Sequence, residues 1–122
     1  MANTPVYEIC DDHDMHRNDT NYRRKMEEPH IWDNGYRTYM EYQHLRGVSD
    51  DHLWYTFDRT NKNIVISFFV LDTRSERDES MLKNDMKMMI SNEQLVALKF
   101  WLAQHKNDVK FICSPTPLLS QN

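Results

Sequence analysis

The chain has 122 residues, enough for one domain whose single core buries roughly two thirds of the unfolded surface. Its 39% hydrophobic residues include 3 Trp, 6 Tyr and 5 Phe, which argues against wholesale disorder, and 2 Gly argue against a glycine-rich phosphate loop. The net charge of −4, from 19 acids and 15 bases, disfavours a dedicated nucleic-acid binder.

In chain order, residues 4–10 ("TPVYEIC") alternate in the manner of a short strand. "EICDDHDMHRND", residues 8–19, then sets five carboxylates and two imidazoles close together. Like charges so crowded are either fully hydrated or arranged around something positive. Residues 15–31 are polar, contain Pro29 and are predicted as a long loop, in which Arg23, Arg24 and Lys25 form a solvated basic run. Asp33 is the predicted N-cap of a helix that ends near Gly47 and turns Tyr36, Tyr39, Met40 and Gln43 to one side.

"HLWYTF" (52–57) and "NIVISFFVLDTR" (63–74) are predicted as paired strands joined by the turn "DRTNKN". Met81, Met86, Met88 and Met89 are expected to fill gaps in packing. Ser91 and Gln94 have the spacing of a capping box, opening a helix to about His105 with Leu95, Leu98, Trp101 and Leu102 as its apolar stripe. "DVKFICS" (108–114) is the last strand, and 115–122 form a tail punctuated by Pro115 and Pro117. Cys10 and Cys113 adjoin apolar runs and are expected as reduced core residues. Asn18-Asp19-Thr20 has the form of a glycosylation acceptor, read as accidental because no secretion signal is evident. Neither an export signal nor an apolar stretch of about 20 residues is present, so no membrane association is expected and a cytoplasmic location is the default expectation.

This order gives an α/β protein with a mixed sheet and flanking helices. In such sheets ligands collect beyond the C-terminal ends of strands, where both Asp11–Asp14 and Asp72–Arg74 are expected. Hard carboxylate oxygens there suit Mg²⁺, Ca²⁺ or Mn²⁺, and an added imidazole extends the choice to iron or zinc. Each residue also has a plainer explanation: a hydrated acidic loop, a surface histidine paired with acids, or an Asp–Arg pair finishing a buried strand.

Four stretches in succession carry a more specific signal: "TPVYEICDDHDMHRND", "GYRTYMEYQHLR", "LWYTFDRTNKNIVISFFVLDTRSERD" and "ISNEQLVALKFWLAQHKNDVKFICSPTPLL". Together they resemble the middle of PhoD-like alkaline phosphatases, within the calcineurin-like metallophosphatases. The resemblance implies a partial αββα sandwich spanning residues 1–122 and metal-dependent hydrolysis of phosphomonoesters or diesters. It implies metal-ligand positions at Asp12 and Asp11, a phosphoryl-contacting His13, catalytic support from Arg74 and a supporting Asp72, with Ca, Fe, Mn or Zn as the metal. The family usually carries Trp before its "DDH", where this chain has Cys10. Its other metal ligands lie before and after the matching stretch, so the chain is expected to be a central fragment needing those motifs for activity. The alternative is a non-catalytic binding module that keeps the α/β core, or one that self-associates through exposed sheet edges.

Overall fold

A computed structural model describes residues 6–44, 51–78, 87–104 and 109–118. The elements are α1 (Asp12–Met15), α2 (Tyr22–Glu27), α3 (Pro29–Tyr42), β1 (Tyr55–Asn61), β2 (Ile64–Val70), α4 (Asn92–Ala103) and β3 (Val109–Cys113). The fold is mixed α/β: a three-stranded sheet in the order β1-β2-β3, antiparallel on one side of β2 and parallel on the other, with flanking helices. The antiparallel pair is a tight hairpin in which Asn61 faces Ile64 and Lys62 takes a left-handed φ of 56°. The expected turn over "DRTNKN" is therefore shorter, because residues 58–61 continue the ladder. Parallel pairing of β2 and β3 requires a crossover, which contains α4.

Register decides which residues share a face. Phe57, Phe68 and Phe111 lie side by side on one face, with ring centroids 4.6 Å and 5.3 Å apart. Residues 6–10 were expected as a strand but have no strand structure; positions 4 and 5 lie outside the described residues. This segment instead lies over the aromatic face. Tyr7 stacks on Phe57 at 3.9 Å, and the Tyr55 hydroxyl donates to the Glu8 carbonyl at 2.6 Å. Its alternating side chains reflect packing on a sheet rather than membership of one.

On the opposite face Phe69 meets Trp101 of α4 edge to face at 5.5 Å, and these two join Leu71 in one core cluster with Trp54, Ala97 and Leu98 against it. The stripe expected on α4 is shifted: Leu98 and Trp101 point inward, whereas Leu102 is exposed and Gln94 is fully buried. Ser91 Oγ accepts the Gln94 N–H at 3.1 Å, giving half of the expected capping box. The other half is absent because the Gln94 amide is engaged elsewhere. At the other end of α4, Lys110 donates to the carbonyls of Trp101, Leu102 and Gln104 at 2.8, 2.7 and 2.5 Å. One ammonium group thus serves three carbonyls at the helix end, of which that of Trp101 also accepts the Gln104 N–H at 3.3 Å.

A second core cluster joins Cys10, Met15, Trp32, Tyr39 and Leu53, with Tyr36 and Met40 packed against it. Here the long loop expected over 15–31 is corrected: it contains α2 and the first turn of α3. Asn21 caps α2 by accepting the Arg24 N–H at 3.2 Å. Pro29 occupies the first turn of α3, where its missing N–H costs nothing, so it begins a helix instead of breaking one. Asp33 accordingly lies inside α3 and is not its N-cap. Tyr36, Tyr39 and Met40 face the core as expected, whereas Gln43 is exposed just past the helix end at Tyr42. Gly47, Met81, Met86 and His105 lie outside the described residues; Met88 is exposed. Both cysteines are free thiols, Cys10 buried and Cys113 half-buried. Among the described residues no helix is long and apolar enough to cross a membrane.

Candidate functional site

β2 carries the chain into the buried core and releases it at Leu71–Asp72–Thr73, all buried. Such a strand exit must satisfy its backbone without neighbouring strand partners on every side. Gln94 does this for Asp72: its Oε1 accepts the Asp72 N–H at 3.0 Å and its Nε2 donates to the Asp72 carbonyl at 2.9 Å. The same Nε2 also donates to Glu76 Oε2 at 2.5 Å. The Asp72 carboxylate turns forward, accepting the N–H groups of Arg74 and Ser75, each at 2.9 Å, and the Ser75 hydroxyl. Burial raises the pKa of this carboxyl, against the opposing pull of those donors. Asp72 therefore shapes the turn that presents Arg74.

The acidic stretch is a helical turn built from its own charges. Asp11 caps α1 and its carboxylate accepts the Asp12 N–H at 2.9 Å, while Asp14 reaches back to the Asp11 N–H at 2.8 Å. This reciprocal arrangement is a capping box with acids in both positions. Asp12 accepts the N–H of His13 through Oδ1 and that of Asp19 through Oδ2, each at 3.0 Å. The turn lies against α3 at Gly35, where an added Cβ would sit 2.1 Å from the Met15 carbonyl oxygen. Only glycine permits this approach.

The two segments meet. Arg74 donates through Nε to Asp11 Oδ1 at 2.5 Å, and its Nη1 lies 3.8 Å from Asp12 Oδ2. A second bridge joins Arg77 to Asp19. Burial pushes the Asp12 carboxyl up, but the Asp19 N–H, the Arg74 guanidinium and the His13 N–H together hold it below the usual carboxylate range. Burial, followed by the nearby Arg74 charge, lowers the pKa of Arg77. The Cys10 thiol lies behind the turn and is pushed up by burial and then by Asp72, Asp14 and Asp11, which leaves it a poor nucleophile.

Asp11, Asp12, Asp72 and Arg74 thus converge beyond the C-terminal end of β2. His13 occupies the same turn but is exposed, with Nε2 donating to Asn18 Oδ1 at 2.6 Å. His16 faces away, its Nε2 2.9 Å from Glu28 Oε2. A cleft of about 580 Å³, lined in part by Trp32, Tyr36, His52, Ser75 and Glu76, opens beside the cluster, but none of the expected site residues lines it.

The residues that build this cluster without contacting any expected ligand were not singled out as such from sequence: Gly35, Gln94, Asp14 and the Asp19–Arg77 pair. Asp11-x-x-Asp14 carried a readable cap spacing; the pairings across tens of residues carried none.

Among the described residues no three His, Cys, Asp or Glu side chains form a group able to hold a metal ion. The carboxylates of Asp11 and Asp12 already face backbone donors and Arg74. As arranged, they do not fit a two-metal centre, which needs several more ligands. Comparison of the chain with known protein families, curated proteins and solved structures gave no match.

Proposed function

We propose that this chain is a partial metallophosphatase-type domain of the PhoD-like kind, acting on phosphomonoesters or diesters. In this reading its sheet is one layer of an αββα sandwich, and the part of the aromatic face that residues 6–10 leave open, around Phe111, receives the other layer. The observation that carries the proposal is the meeting of the two chemically loaded motifs, 63 residues apart, through the Arg74–Asp11 bond at the end of β2. Their alignment at a strand end is where an α/β sheet builds its sites.

In the proposed site His13, exposed beside the acids, contacts the phosphoryl group and moves a proton at Nε2. Arg74, fixed by the Asp72 turn, supplies positive charge to the phosphoryl oxygens as charge develops. Metal ions of the Ca, Fe, Mn or Zn type belong to the proposal as cofactors. Asp12 and Asp11 are the positions assigned to them, and the remaining ligands are not assembled by the described residues.

The test is hydrolysis of p-nitrophenyl phosphate and its diester by the purified chain with Ca²⁺, Mn²⁺, Fe³⁺ or Zn²⁺. Turnover that falls by about 100-fold or more in His13→Ala, at unchanged thermal stability, is the expected result. No turnover with any of these metals removes the catalytic reading for this chain.

A second reading has its own support. β1 presents Thr56, Asp58, Arg59 and Thr60 to solvent, whereas β3 exposes Val109, Phe111 and Ile112. Charged edges resist pairing and apolar edges invite it, so β3 favours a non-catalytic, self-associating module. Sedimentation giving a monomer across the accessible concentration range would rule against it.

A further inference from the structure

We infer that the gap between residues 6–10 and the sheet is a binding site for a small organic acid with an apolar body, a medium-chain carboxylate, whose head group pairs with Arg59. None of residues 11–14 or 72–74 lines this gap, so the inference stands apart from the phosphatase reading.

A cavity of about 540 Å³ lies there, with Tyr7 and Ile9 on one side and Tyr55, Phe57, Phe68 and Val70 on the other. Small-molecule sites are of this size and join apolar walls to a few placed polar groups. Two contacts fasten the segment over the sheet: Tyr7 stacks on Phe57, and the Tyr55 hydroxyl donates to the Glu8 carbonyl. Apolar walls that face empty space forfeit dispersion contacts, and water finds few polar partners between them. An apolar ligand body restores those contacts. The charge at the site then selects the head group. Arg59 is the one charged residue among the described lining, and no acid lines the cavity. Its guanidinium lies 4.8 Å from the Tyr7 ring and 5.4 Å from the Phe57 ring, held against both faces. It donates to the Asp58 carbonyl at 3.2 Å and forms no ion pair among the described residues. The Asp58 carboxylate is turned to the other face of the sheet, where it accepts the Ser67 hydroxyl. A planar guanidinium fixed over two rings offers parallel N–H groups that match a carboxylate. An apolar cavity with a lone cation at its side thus fits an anion that carries a hydrocarbon body.

The experiment titrates decanoate and 1-decanol, which share a chain and differ in head group, into the purified parent chain and Arg59→Gln by calorimetry. The parent is expected to bind decanoate at least about tenfold more tightly than 1-decanol, because a charge-assisted pair is stronger than a neutral hydrogen bond. Arg59→Gln is expected to bring decanoate down to the level of 1-decanol and to leave 1-decanol unchanged. Intermolecular NOEs are expected between the decanoate chain and the Tyr7, Phe57 and Phe68 rings. Absence of decanoate binding overturns the proposal, as do equal affinities for the two ligands in the parent or a decanoate affinity that survives Arg59→Gln. NOEs to Val109 and Ile112 in place of those rings would assign the ligand to the β3 margin and overturn it equally. Should Arg59→Gln fail to fold, the two ligands and the NOEs on the parent chain decide.

Discussion

The acidic turn and the β3 margin of the sheet solve opposite problems. At the turn, five acids of the cluster, Asp11, Asp12, Asp14, Asp19 and Asp72, all find donors within the chain, from backbone N–H groups, Ser75, Arg74 and Arg77. At the margin, Val109, Phe111 and Ile112 remain 41%, 49% and 41% exposed with no further strand beside them among the described residues. Unmet polar groups are costly when buried, so the fold satisfies them locally, whereas apolar surface can wait for a partner. The chain is electrostatically closed at one end and hydrophobically open at the other.

Loosening the closed end is expected to have the largest effect. Gln94→Ala leaves the buried N–H and C=O of Asp72 without partners, at a cost of about 2–4 kcal/mol. Urea denaturation measures it, and a loss below that range would mean that the Asp72 N–H and C=O find other partners. Next comes Gly35→Ala. A methyl group 2.1 Å from the Met15 carbonyl oxygen must push α1 off α3, which is expected to cost about 1–3 kcal/mol and to displace the turn. Amide shifts at Asp11–Asp14 would report the displacement.

Acidification sharpens the comparison more gently. The depressed Asp12 pKa gives stability that is present above the ordinary value of 3.8 and is lost as pH falls through the folded value. Asp72 works the other way: its raised pKa means that its charged form costs stability, a cost relieved as pH falls. The stability difference between the parent and Asp12→Asn is therefore expected to shrink below pH 3.8. Chemical denaturation across that range would show it. At the open end, Phe111→Lys removes a half-exposed ring stacked on Phe68 and is expected to cost about 1 kcal/mol of monomer stability. Any self-association seen by sedimentation is expected to weaken with it; association that is unaffected would place the interface elsewhere.

Much of the framework was legible in the sequence because composition and structure agree there. "IVISFFV" is dense in β-branched and aromatic residues and forms β2, and Ser91 before "NEQLVALKFW" marks the start of α4. Where the reading failed, one signal had two physical meanings. Alternation in residues 6–10 arises from packing over the aromatic face, not from strand pairing. The polar composition of 15–31 concealed α2 and the start of α3, because short helices can rest on caps such as Asn21 more than on an apolar stripe. The acidic cluster was evident as a charge pattern, but the strand expected just before it is absent, whereas the strand expected before Asp72–Arg74 is β2. That Arg74 closes onto Asp11 was not legible, since nothing local links positions 63 residues apart.

The central claim is that these two segments act as one cluster, and a double-mutant cycle between Asp11 and Arg74 tests it most directly. Asp11→Asn keeps a capping oxygen while removing the charge, and Arg74→Met keeps the stem while removing the guanidinium. Because the Asp11 side chain is 45% exposed, solvent screening limits the expected coupling to about 1 kcal/mol, falling as salt is added. Additive effects, with a coupling under about 0.3 kcal/mol at low salt, would mean that the bridge does not join the two segments.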